Sequence, residues 1–525
     1  MINAIHKIWR KVRVKVKAGL KEKQEDIKLF SVNATILLAV YSTMMNFQIT
    51  SDHVYAAVID EFSQFPNMIN QLAAGRYTGY FIAWILKVFQ FVGVDKVHHQ
   101  FVLQIAGILV YAIAASVLYK IYAEKMQLEK YSIFLNALIL IAFVNPFIVE
   151  TYVYICLDWA IGILLAVLGA KYLLKQRYGL GFLFSFLAVS TYQTNILMVL
   201  IYCIGAIYIE YRHSFKELFT RIMKCGAITV LAAFINILIP KICLSLGIID
   251  GIVKQTGAGD EWNLRIVWIA QIIYLSIYKG YGMLPEGFLF WMILLISLIA
   301  ILYFVRKKEK KTGLQILYWI LLTGILFGML YAPCFVSSTI GYPQRTMLSL
   351  FMSFSVLLIC FYSLIKNERL LKYYHIGIYL IAGIMLYQTE SGIQDCYTSN
   401  ALDFYEAQCV QETIEAYEQE TGNEITQIAV HRASNIHYSY AQLHYENVYA
   451  LYSHRLFYDA WSDVNLLNYL FDEDYERIDM DYPYGDKRQF YDEICAKYFD
   501  GKSWDRLNTE EQIVFDGNVM YWVIY

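Results

Sequence analysis

The sequence predicts an α-helical polytopic membrane protein, with about 11 spans, that carries a small C-terminal α/β domain outside the membrane. Three observations support this fold class. The chain is 58% hydrophobic and only 17% charged, whereas soluble proteins carry about 25% charged residues. Long apolar segments recur between residues 30 and 389, separated by short clusters of lysine and arginine. From about residue 390 the sequence becomes charged and rich in tyrosine.

The N-terminal segment, residues 1–29, is predicted to lie in the cytoplasm beside the first span. Its sequence HKIWRKVRVKVKAGLKEKQ is rich in cations, which anionic lipid headgroups attract. The apolar segment that follows is longer than a signal-peptide core and lacks a small-residue cleavage pattern. We therefore interpret it as a transmembrane helix.

The predicted transmembrane bundle occupies residues 30–389 and includes an outer loop at 50–99. A helix that crosses the bilayer needs about 20 mostly apolar residues, and fewer where a broken helix packs inside protein. Candidate spans lie near residues 30–49, 100–119, 132–149, 158–175, 179–192, 194–210, 225–247, 287–305, 313–332, 345–365 and 373–389. The two short segments on either side of the polar sequence STYQTN predict half-spans that line a cavity.

Clusters of lysine and arginine predict the orientation of these spans. They occur at the N-terminus and at residues 119–130, 171–177, 211–224, 306–311 and 366–372. The positive-inside rule assigns all of them to the cytoplasm. This orientation requires the short segments 79–94 and 263–279, which contain polar residues, to lie along the outer interface or to re-enter the membrane.

The C-terminal segment, residues 390–525, is long enough for a small domain. The stretch SNALDFYEAQCVQETIEAYEQETGN starts with the capping candidates Ser399 and Asn400, has helical apolar spacing and ends at Gly422, so it predicts a helix. The stretches EITQIAVHR and NVMYWVIY are rich in β-branched and aromatic residues and predict strands. An extracytoplasmic α/β domain is expected.

Charge and cysteine usage exclude some functions. A net charge of −2, with no basic and aromatic stripe outside the N-terminus, argues against a nucleic-acid partner. The nine cysteines show no CxxC pair and no Cys/His ligand spacing, so we interpret them as small apolar groups rather than zinc ligands. The composition by itself indicates only one partner, the lipid bilayer.

Ionisable groups concentrate on the predicted outer face or in the outer half of the bundle. They are Asp52, His53, Asp60, Glu61, Arg76, Glu150, Asp158 and Arg345. Glu150 and Asp158 lie in the apolar sequence NPFIVETYVYICLDWA, where an acid is costly unless it meets a partner or water. They therefore indicate a functional cavity, with a structural ion pair as the alternative. Asp60 and Glu61 fit solvated acids at headgroup level, whereas Asp52 follows the first span, where an aqueous pocket would open.

Two arginines are predicted outside despite the positive-inside bias: Arg76 in AGRYTGYF and Arg345 in GYPQRTM. Guanidinium binds phosphate bidentately, so each could hold a lipid-linked phosphate, with contact to bulk phospholipid as the alternative. Tyr192 and Gln193, in the sequence between the half-spans, could bind a substrate or form interhelical hydrogen bonds worth about 1 kcal/mol. A base beside a phosphate clamp suits group transfer from a lipid phosphate.

The motifs TSDHVYAAVIDEF…GRYTGYFI, NPFIVETYVYICLDWA, STYQTNILMVLI and YPQRTML, in this order and at these intervals, resemble the GtrII-type glucosyltransferase family of bacterial membrane proteins. The resemblance covers most of the spanning region, and the C-terminal segment resembles the outer domains that follow it in such proteins. It implies a C-type glycosyltransferase fold in the bacterial cell membrane, with an active site that faces outward.

The resemblance also implies a reaction and its partners. Family members take a sugar from a polyprenyl-phosphate carrier and attach it, as a side-chain glucose, to a surface polysaccharide such as O-antigen. They work beside a carrier-loading glycosyltransferase and a small flippase. We therefore expect a polyprenyl-phosphate sugar donor and a surface polysaccharide acceptor.

The resemblance assigns site residues position by position. The residues that match the GR motif, the acid after proline, the buried aspartate, the YQ pair and the later arginine are Arg76, Glu150, Asp158, Tyr192, Gln193 and Arg345. The acidic pair of the family's first loop falls here on Ser51–Asp52 or Asp52–His53, so one acid is replaced. This departure weakens the case for a paired-carboxylate or metal mechanism and leaves Asp52 as the predicted base.

Each residue then has an expected role. Asp52 would accept the proton of an acceptor hydroxyl, and Arg345, with Arg76 as the second candidate, would stabilise the departing phosphate. Glu150 and Asp158 would orient sugar hydroxyls or assist Asp52. The predicted substrate-binding residues are His53, Arg76, Tyr192, Gln193 and Arg345. A divalent cation could use Asp52 with Glu150 or Asp158 as oxygen ligands, but nothing in the sequence requires one or any other cofactor.

Other functions stay open at this point. A transporter or flippase of lipid-linked saccharide would also have many spans and buried acids, but the sequence shows no inverted repeat and its ionisable groups cluster on one face. A polysaccharide polymerase or ligase would use similar arginines, typically with a diphosphate carrier. A structural anchor for the C-terminal segment leaves Glu150 and Asp158 unexplained.

Overall fold

The computed structural model describes twelve stretches of the chain, residues 23–45, 49–51, 53–54, 71–89, 100–251, 262–307, 312–335, 344–431, 437–445, 454–459, 461–478 and 497–524. Within these stretches the protein is mostly helical, with a small sheet near the C-terminus. Eight of the described helices are long and apolar enough to cross a bilayer. A mostly helical chain with several membrane-length helices is therefore confirmed, while the number of spans stays a prediction.

The main helices are numbered here in chain order. They are α1 (Lys23–Met45), α2 (Tyr77–Val88), α3 (Gln100–Lys125), α4 (Ile133–Leu140), α5 (Val149–Leu174), α6 (Tyr178–Val189), α7 (Asn195–Tyr211), α8 (Phe215–Ser245), α9 (Trp262–Ile273), α10 (Phe288–Lys307), α11 (Thr312–Gly328), α12 (Leu348–Tyr362), α13 (Glu368–Thr421) and α14 (Asp463–Phe471). The short helices α6 and α7 meet at residues 190–194, where the STYQTN sequence predicted a break.

The predicted span at 132–149 is only partly helical. Helix α4 ends at Leu140, and the chain then turns until α5 begins. Asn145 stabilises this turn, because its side chain accepts a hydrogen bond from the Ile148 N–H at 3.2 Å and donates to backbone carbonyls. Glu150 consequently lies in the first turn of α5, where the helix dipole favours an acid.

Helix α12 lies at the centre of the bundle. Every residue from Leu348 to Phe361 is buried, as expected of a helix that is apolar on all sides. Two of its polar side chains have internal partners: Ser353 and Ser355 donate to backbone carbonyls of α11 and α4 at 2.8 and 2.7 Å. Arg345 lies just before this helix, so the packing of α12 fixes the position of Arg345.

Helix α13 runs for 54 residues without a break and ends in the C-terminal domain. The predicted helix start at Ser399 and Asn400 is therefore wrong, whereas the predicted end at Gly422 is confirmed by its left-handed φ of +73°. The two capping candidates bond to other segments instead. The Ser399 hydroxyl donates to the His454 carbonyl at 3.4 Å, and Asn400 Oδ1 accepts from the Ile49 N–H at 2.8 Å.

The C-terminal domain contains a four-stranded mixed sheet. Its strands are β1 (Gln427–His431), β2 (Glu476–Ile478), β3 (Ile513–Asp516) and β4 (Val519–Val523), in the order β2-β1-β4-β3. Strand β1 pairs in parallel with β2 and β4, while β3 and β4 are antiparallel. The strands predicted in EITQIAVHR and NVMYWVIY are β1 and β4.

The segment that follows α1, predicted to start the outer loop, packs into this C-terminal domain. Ile49 and Val54 are buried in the same apolar cluster as Val410 of α13 and Trp522 of β4. The first residues after α1 therefore share a core with the last strand of the chain. The predicted boundary at 389/390 falls inside α13, and the division into separate domains stays a prediction.

A buried polar network joins α13 to the segments that follow β1. Asp403 accepts a hydrogen bond from the Tyr438 hydroxyl at 2.7 Å, and Glu406 pairs with Arg455 at 3.3 Å. The Arg455 guanidinium also lies over the Tyr438 ring, 4.5 Å from its centroid. Buried charges persist only when they are paired in this way, so the network holds the domain to the long helix.

His454 lies beside this network and is expected to make the domain acid-sensitive. Burial lowers the pKa of His454 to about 3, and the neighbouring His437 adds to the shift. His454 is therefore neutral in the folded protein at pH 5, while the unfolded chain binds a proton below about pH 6.5. The stability contributed by this group is complete above about pH 6.5 and is lost as the pH falls toward the folded-state pKa.

Between pH 7 and pH 5, this residue is expected to lower the free energy of unfolding by about 2 kcal/mol. The measurement is amide hydrogen exchange of β1 and β4 in the full-length protein at both pH values. In a His454→Gln variant the acid-induced fall should be smaller by that amount. An equal fall in both proteins would mean that other groups cause the acid sensitivity.

Candidate active site

Glu150 and Arg345 form an ion pair at one end of the bundle. Arg345 Nη1 lies 2.5 Å from Glu150 Oε1, and the Arg345 backbone N–H donates to Oε2 at 3.0 Å. The Glu150 side chain is 1% exposed and that of Arg345 is 21% exposed. Both carboxylate oxygens therefore hold the 3₁₀ turn Gln344–Met347 against the start of α5. The structure brings these two predicted residues together.

The turn that carries Arg76 rests on the segment between α6 and α7. Gln193 donates through Nε2 to the Ala74 carbonyl at 2.5 Å. Thr78 bonds to Ser190 twice, from its backbone N–H at 3.0 Å and through the two hydroxyls at 2.6 Å. Three hydrogen bonds thus hold the Arg76 turn and the start of α2 over the STYQTN sequence.

Gly75 shapes this turn. Its φ of +70° lies in the left-handed region that favours glycine. The Gly75 N–H donates to the Leu72 carbonyl at 3.0 Å, and the Arg76 N–H donates to the Gln71 carbonyl at 2.9 Å. A Cβ atom at residue 75 would lie only 3.0 Å from Asn236 Nδ2 of α8. The GR motif therefore needs its glycine both for backbone conformation and for close packing.

The Arg76 guanidinium lies over the Tyr192 ring, with its carbon 5.1 Å from the ring centroid. Its Nε atom is buried and has no hydrogen-bond partner among the described residues. Burial lowers the pKa of Arg76, Tyr192 opposes this shift, and the positive charge of Arg345 adds to it. The site thus contains two guanidinium groups, of which Arg345 is balanced by a buried carboxylate.

Tyr192 also connects the Arg76 turn to α5. Its ring packs against Trp159, with the ring centroids 4.2 Å apart. Trp159 follows Asp158, which is half-buried and lies about 12 Å beyond Glu150 along the helix axis, at 1.5 Å per residue. Asp158 is therefore placed further into the bundle than the ion pair.

Asp52, the predicted base, lies outside the described residues. Its neighbour His53 is buried, and His53 Nδ1 accepts a hydrogen bond from the Thr50 N–H at 3.1 Å and bonds to the Thr50 hydroxyl at 3.0 Å. These bonds form a tight turn in the segment after α1, which Ile49 attaches to α13. The roles of Asp52 and His53 stay predictions.

Gln344 is a site residue that sequence reasoning missed. It lies beside Arg345, its side chain is fully buried, and neither amide atom has a hydrogen-bond partner among the described residues. An unsatisfied buried amide costs about 1–3 kcal/mol, so a ligand or water is expected to bond to it. Its position next to Arg345 in the motif YPQRTML is the sequence feature that could have identified it. Trp159, in the motif next to Asp158, was missed in the same way.

Possible metal ligands are sparse in this part of the chain. Within the described stretches, no group of three or more histidine, cysteine, aspartate or glutamate side chains could hold a metal ion. Asp52, which the sequence suggested as one ligand, is not among those residues. A divalent cation therefore stays untested.

A family model described as Glucosyl transferase GtrII matches residues 47–362. The match covers more than half of the chain and includes all the predicted site residues. The chain belongs to the GtrII glucosyl transferase family. Neither a search of curated proteins nor a search of solved structures found a significant match.

GtrII membership agrees with the resemblance seen in the motifs and indicates a glucosyltransferase built on membrane-length helices. The matched region ends at Tyr362, the last residue of α12. Helix α13 and the C-terminal domain lie beyond it, yet Ile49 and Val54 of the matched region are buried in that domain's core. The GtrII region and the C-terminal domain are therefore packed together.

Gly75→Ala is expected to lower both stability and activity. Left-handed backbone costs an alanine about 1–2 kcal/mol, and its Cβ would also crowd Asn236. Gly79→Ala is the matched control, because a Cβ there would only contact the Thr191 carbonyl at 3.8 Å, and alanine favours a helix by up to about 1 kcal/mol. Thermal unfolding midpoints of the full-length variants, with surface glucosylation of cells, test this. Equal midpoints in the two variants would contradict the role given to Gly75.

Proposed function

We propose that this GtrII protein transfers a sugar, specifically glucose, from a polyprenyl-phosphate carrier to a cell-surface polysaccharide on the outer face of the bacterial cell membrane. The helical bundle would have the C-type glycosyltransferase fold, with a cytoplasmic N-terminus. The observation that carries this proposal is the convergence of Arg76, Tyr192 and the Glu150–Arg345 pair at one end of the helices. A cationic site of this kind suits a donor that carries an anionic phosphate.

Arg76 is proposed as the group that binds the carrier phosphate. Sequence reasoning preferred Arg345, but the charge of Arg345 is balanced by Glu150, which uses both oxygens to hold it. Arg76 instead faces the Tyr192 ring and is paired with no acid among the described residues. An anionic ligand would stabilise this buried cation, and the guanidinium fork matches phosphate geometry.

The proposed reaction is a substitution at the anomeric carbon of the donor sugar. An acceptor hydroxyl attacks this carbon, a glycosidic bond forms, and the bond from the carbon to the phosphate oxygen breaks. Asp52 takes the hydroxyl proton, and the bonding electron pair leaves with the polyprenyl phosphate, whose negative charge Arg76 stabilises. General-base catalysis of this kind contributes about 10²- to 10⁴-fold to the rate.

One acid and one amide, Glu150 and Gln193, act as positioning residues in this proposal. Glu150 holds Arg345 and the turn Gln344–Met347, so we assign it to the shape of the site rather than to proton transfer. Gln193 acts through the Arg76 turn, because its amide bonds to the Ala74 carbonyl. Both residues would affect transfer through the groups that they hold.

The sugar itself would contact other groups. The Gln344 amide can bond to sugar hydroxyls, and Tyr192, which is partly exposed, can contact the sugar ring beside Arg76. Asp158 and His53 are further candidates for hydroxyl contacts. Polar groups together with an aromatic ring are the combination that small-molecule sites use.

The lipid and polymer parts of the substrates would use neighbouring elements. Phe81 and Trp84 of α2 are 56% and 50% exposed and stack on each other, so α2 can line a groove for the polyprenyl tail at the outer interface. The C-terminal domain would hold the polysaccharide acceptor. A carrier-loading glycosyltransferase and a small flippase would supply the lipid-linked sugar to this face.

The test uses cells that contain these partner enzymes and measures glucose on the surface polysaccharide by mass spectrometry. Asp52→Asn is expected to abolish transfer at unchanged protein abundance, while Asp250→Asn, which changes an exposed acid after α8, is expected to leave it intact. Removal of the carrier-loading enzyme should abolish transfer by the unchanged protein. Transfer without the carrier-loading enzyme would show that polyprenyl-phosphate glucose is not the donor. Full transfer by Asp52→Asn would show that Asp52 is not the catalytic base.

A further inference from the structure

A polar cavity lies at the opposite end of the bundle from the candidate active site. It is lined by the last turns of α7 and α10, the first turns of α11 and the loop after α12. Its volume is about 160 Å³. Because one water molecule needs at least about 10–15 Å³ of such volume, the cavity can hold a solvated ionic group. Helices α7 and α12 start beside Gln193 and Arg345 and end at this cavity. Their lengths of 17 and 15 residues separate the two sites by about 20–25 Å.

Among the described residues, the charged groups that line this cavity are all basic. Arg212, Lys307 and Lys366 line it together with His213, and none of the described lining residues is an acid. Arg212 is held in place, because its Nη1 donates to the carbonyl and the hydroxyl of Ser363 at 3.3 and 2.9 Å. Its Nη2 has no hydrogen-bond partner in the part of the chain that the structure describes and can donate to a ligand. A fixed guanidinium with lysines beside it is the arrangement that binds phosphate.

A buried hydroxyl belongs to the same cavity. Tyr318 of α11 lines it and is 3% exposed. Its hydroxyl group is buried and has no hydrogen-bond partner among the described residues. Because an unsatisfied buried hydroxyl is costly, this group provides a second and independent sign that a polar ligand or water occupies the cavity.

Apolar surface lies directly beside these polar groups. The Phe215 ring stacks on the Tyr318 ring with centroids 5.6 Å apart, and Phe215 is 50% exposed. Leu314 and Leu317, on the first turns of α11, are 38% and 48% exposed. A ligand with a phosphate and hydrocarbon chains can use both surfaces, whereas free phosphate can use only the cavity.

We propose that this cavity binds the phosphate of an anionic phospholipid headgroup from the leaflet opposite the candidate active site. Basic pockets between membrane helices bind such headgroups through their phosphates. The lipid chains would then lie along Phe215 and the first turns of α11. This site is separate from the proposed sugar transfer, so its test does not depend on that reaction.

The experiment measures the thermal unfolding midpoint of the full-length protein in neutral detergent. Phosphatidylglycerol, phosphatidylcholine and inorganic phosphate are titrated separately. The variants are Arg212→Gln, which removes the fixed cation, and Tyr318→Phe, which removes only the hydroxyl. Lys175→Gln, at an exposed basic residue outside the cavity, is the matched control.

Phosphatidylglycerol is expected to raise the midpoint more than phosphatidylcholine does. Its apparent affinity should fall about tenfold in Arg212→Gln and about fivefold in Tyr318→Phe, and it should be unchanged in Lys175→Gln. If inorganic phosphate raised the midpoint to its maximum and phosphatidylglycerol then had no further effect, the bound phosphate would not come from a lipid. The same response to phosphatidylglycerol in all four proteins, or no difference between the two lipids, would overturn the site itself.

Discussion

Arg76→Gln is expected to reduce glucose transfer at least 100-fold while the protein stays folded. The reason is that Arg76 is the guanidinium placed over Tyr192 without an acid partner among the described residues. Removal of one group that stabilises developing negative charge costs about 10²- to 10³-fold in rate. The rate is measured with a polyprenyl-phosphate glucose donor in membranes, and thermal unfolding of the purified variant checks its fold.

Two further variants separate the phosphate role from a general charge effect. Arg76→Lys keeps the positive charge but loses the planar fork, so its transfer rate should lie between those of the unchanged protein and Arg76→Gln. Arg177→Gln changes an exposed arginine before α6 and should leave transfer unchanged. If Arg76→Gln retained full transfer at normal abundance, Arg76 would not be the phosphate-binding group.

Glu150→Gln is expected to lower the free energy of unfolding by about 3 kcal/mol and to abolish transfer. The substitution removes the carboxylate that pairs with Arg345 in a largely buried site, and breaking a buried ion pair from one side has this cost. It would also loosen the turn Gln344–Met347, which the carboxylate holds through both of its oxygens. Chemical unfolding in detergent measures the first effect, and the membrane assay measures the second.

The double variant Glu150→Gln with Arg345→Gln distinguishes structure from function. Removing both charges should restore most of the lost stability, because the two opposite charges are then removed together, yet transfer should stay absent. Glu286→Gln is the matched control, since its ion pair with Lys279 is exposed and worth only about 0–1 kcal/mol. If the double variant regained transfer, the pair would serve stability alone.

Several parts of the fold were predictable from local sequence. Helices α6 and α7 meet where STYQTN interrupts two short apolar segments, because hydropathy and helix breaks are properties of neighbouring residues. The end of α13 was predictable for the same reason, since Gly422 takes the left-handed conformation of a helix cap. The start of that helix was not, because Ser399 and Asn400 bond to His454 and Ile49 from distant segments.

The sequence by itself determined the helical membrane class, the strands β1 and β4, and the residue types of the candidate site. These properties depend on apolar length, periodicity and the chemistry of single side chains. Only the tertiary structure decided that Glu150 pairs with Arg345, that Arg76 lies over Tyr192, and that the segment after α1 packs into the C-terminal domain. Such contacts join segments far apart in the chain, and which charge is balanced depends on distances between helices that no local pattern encodes.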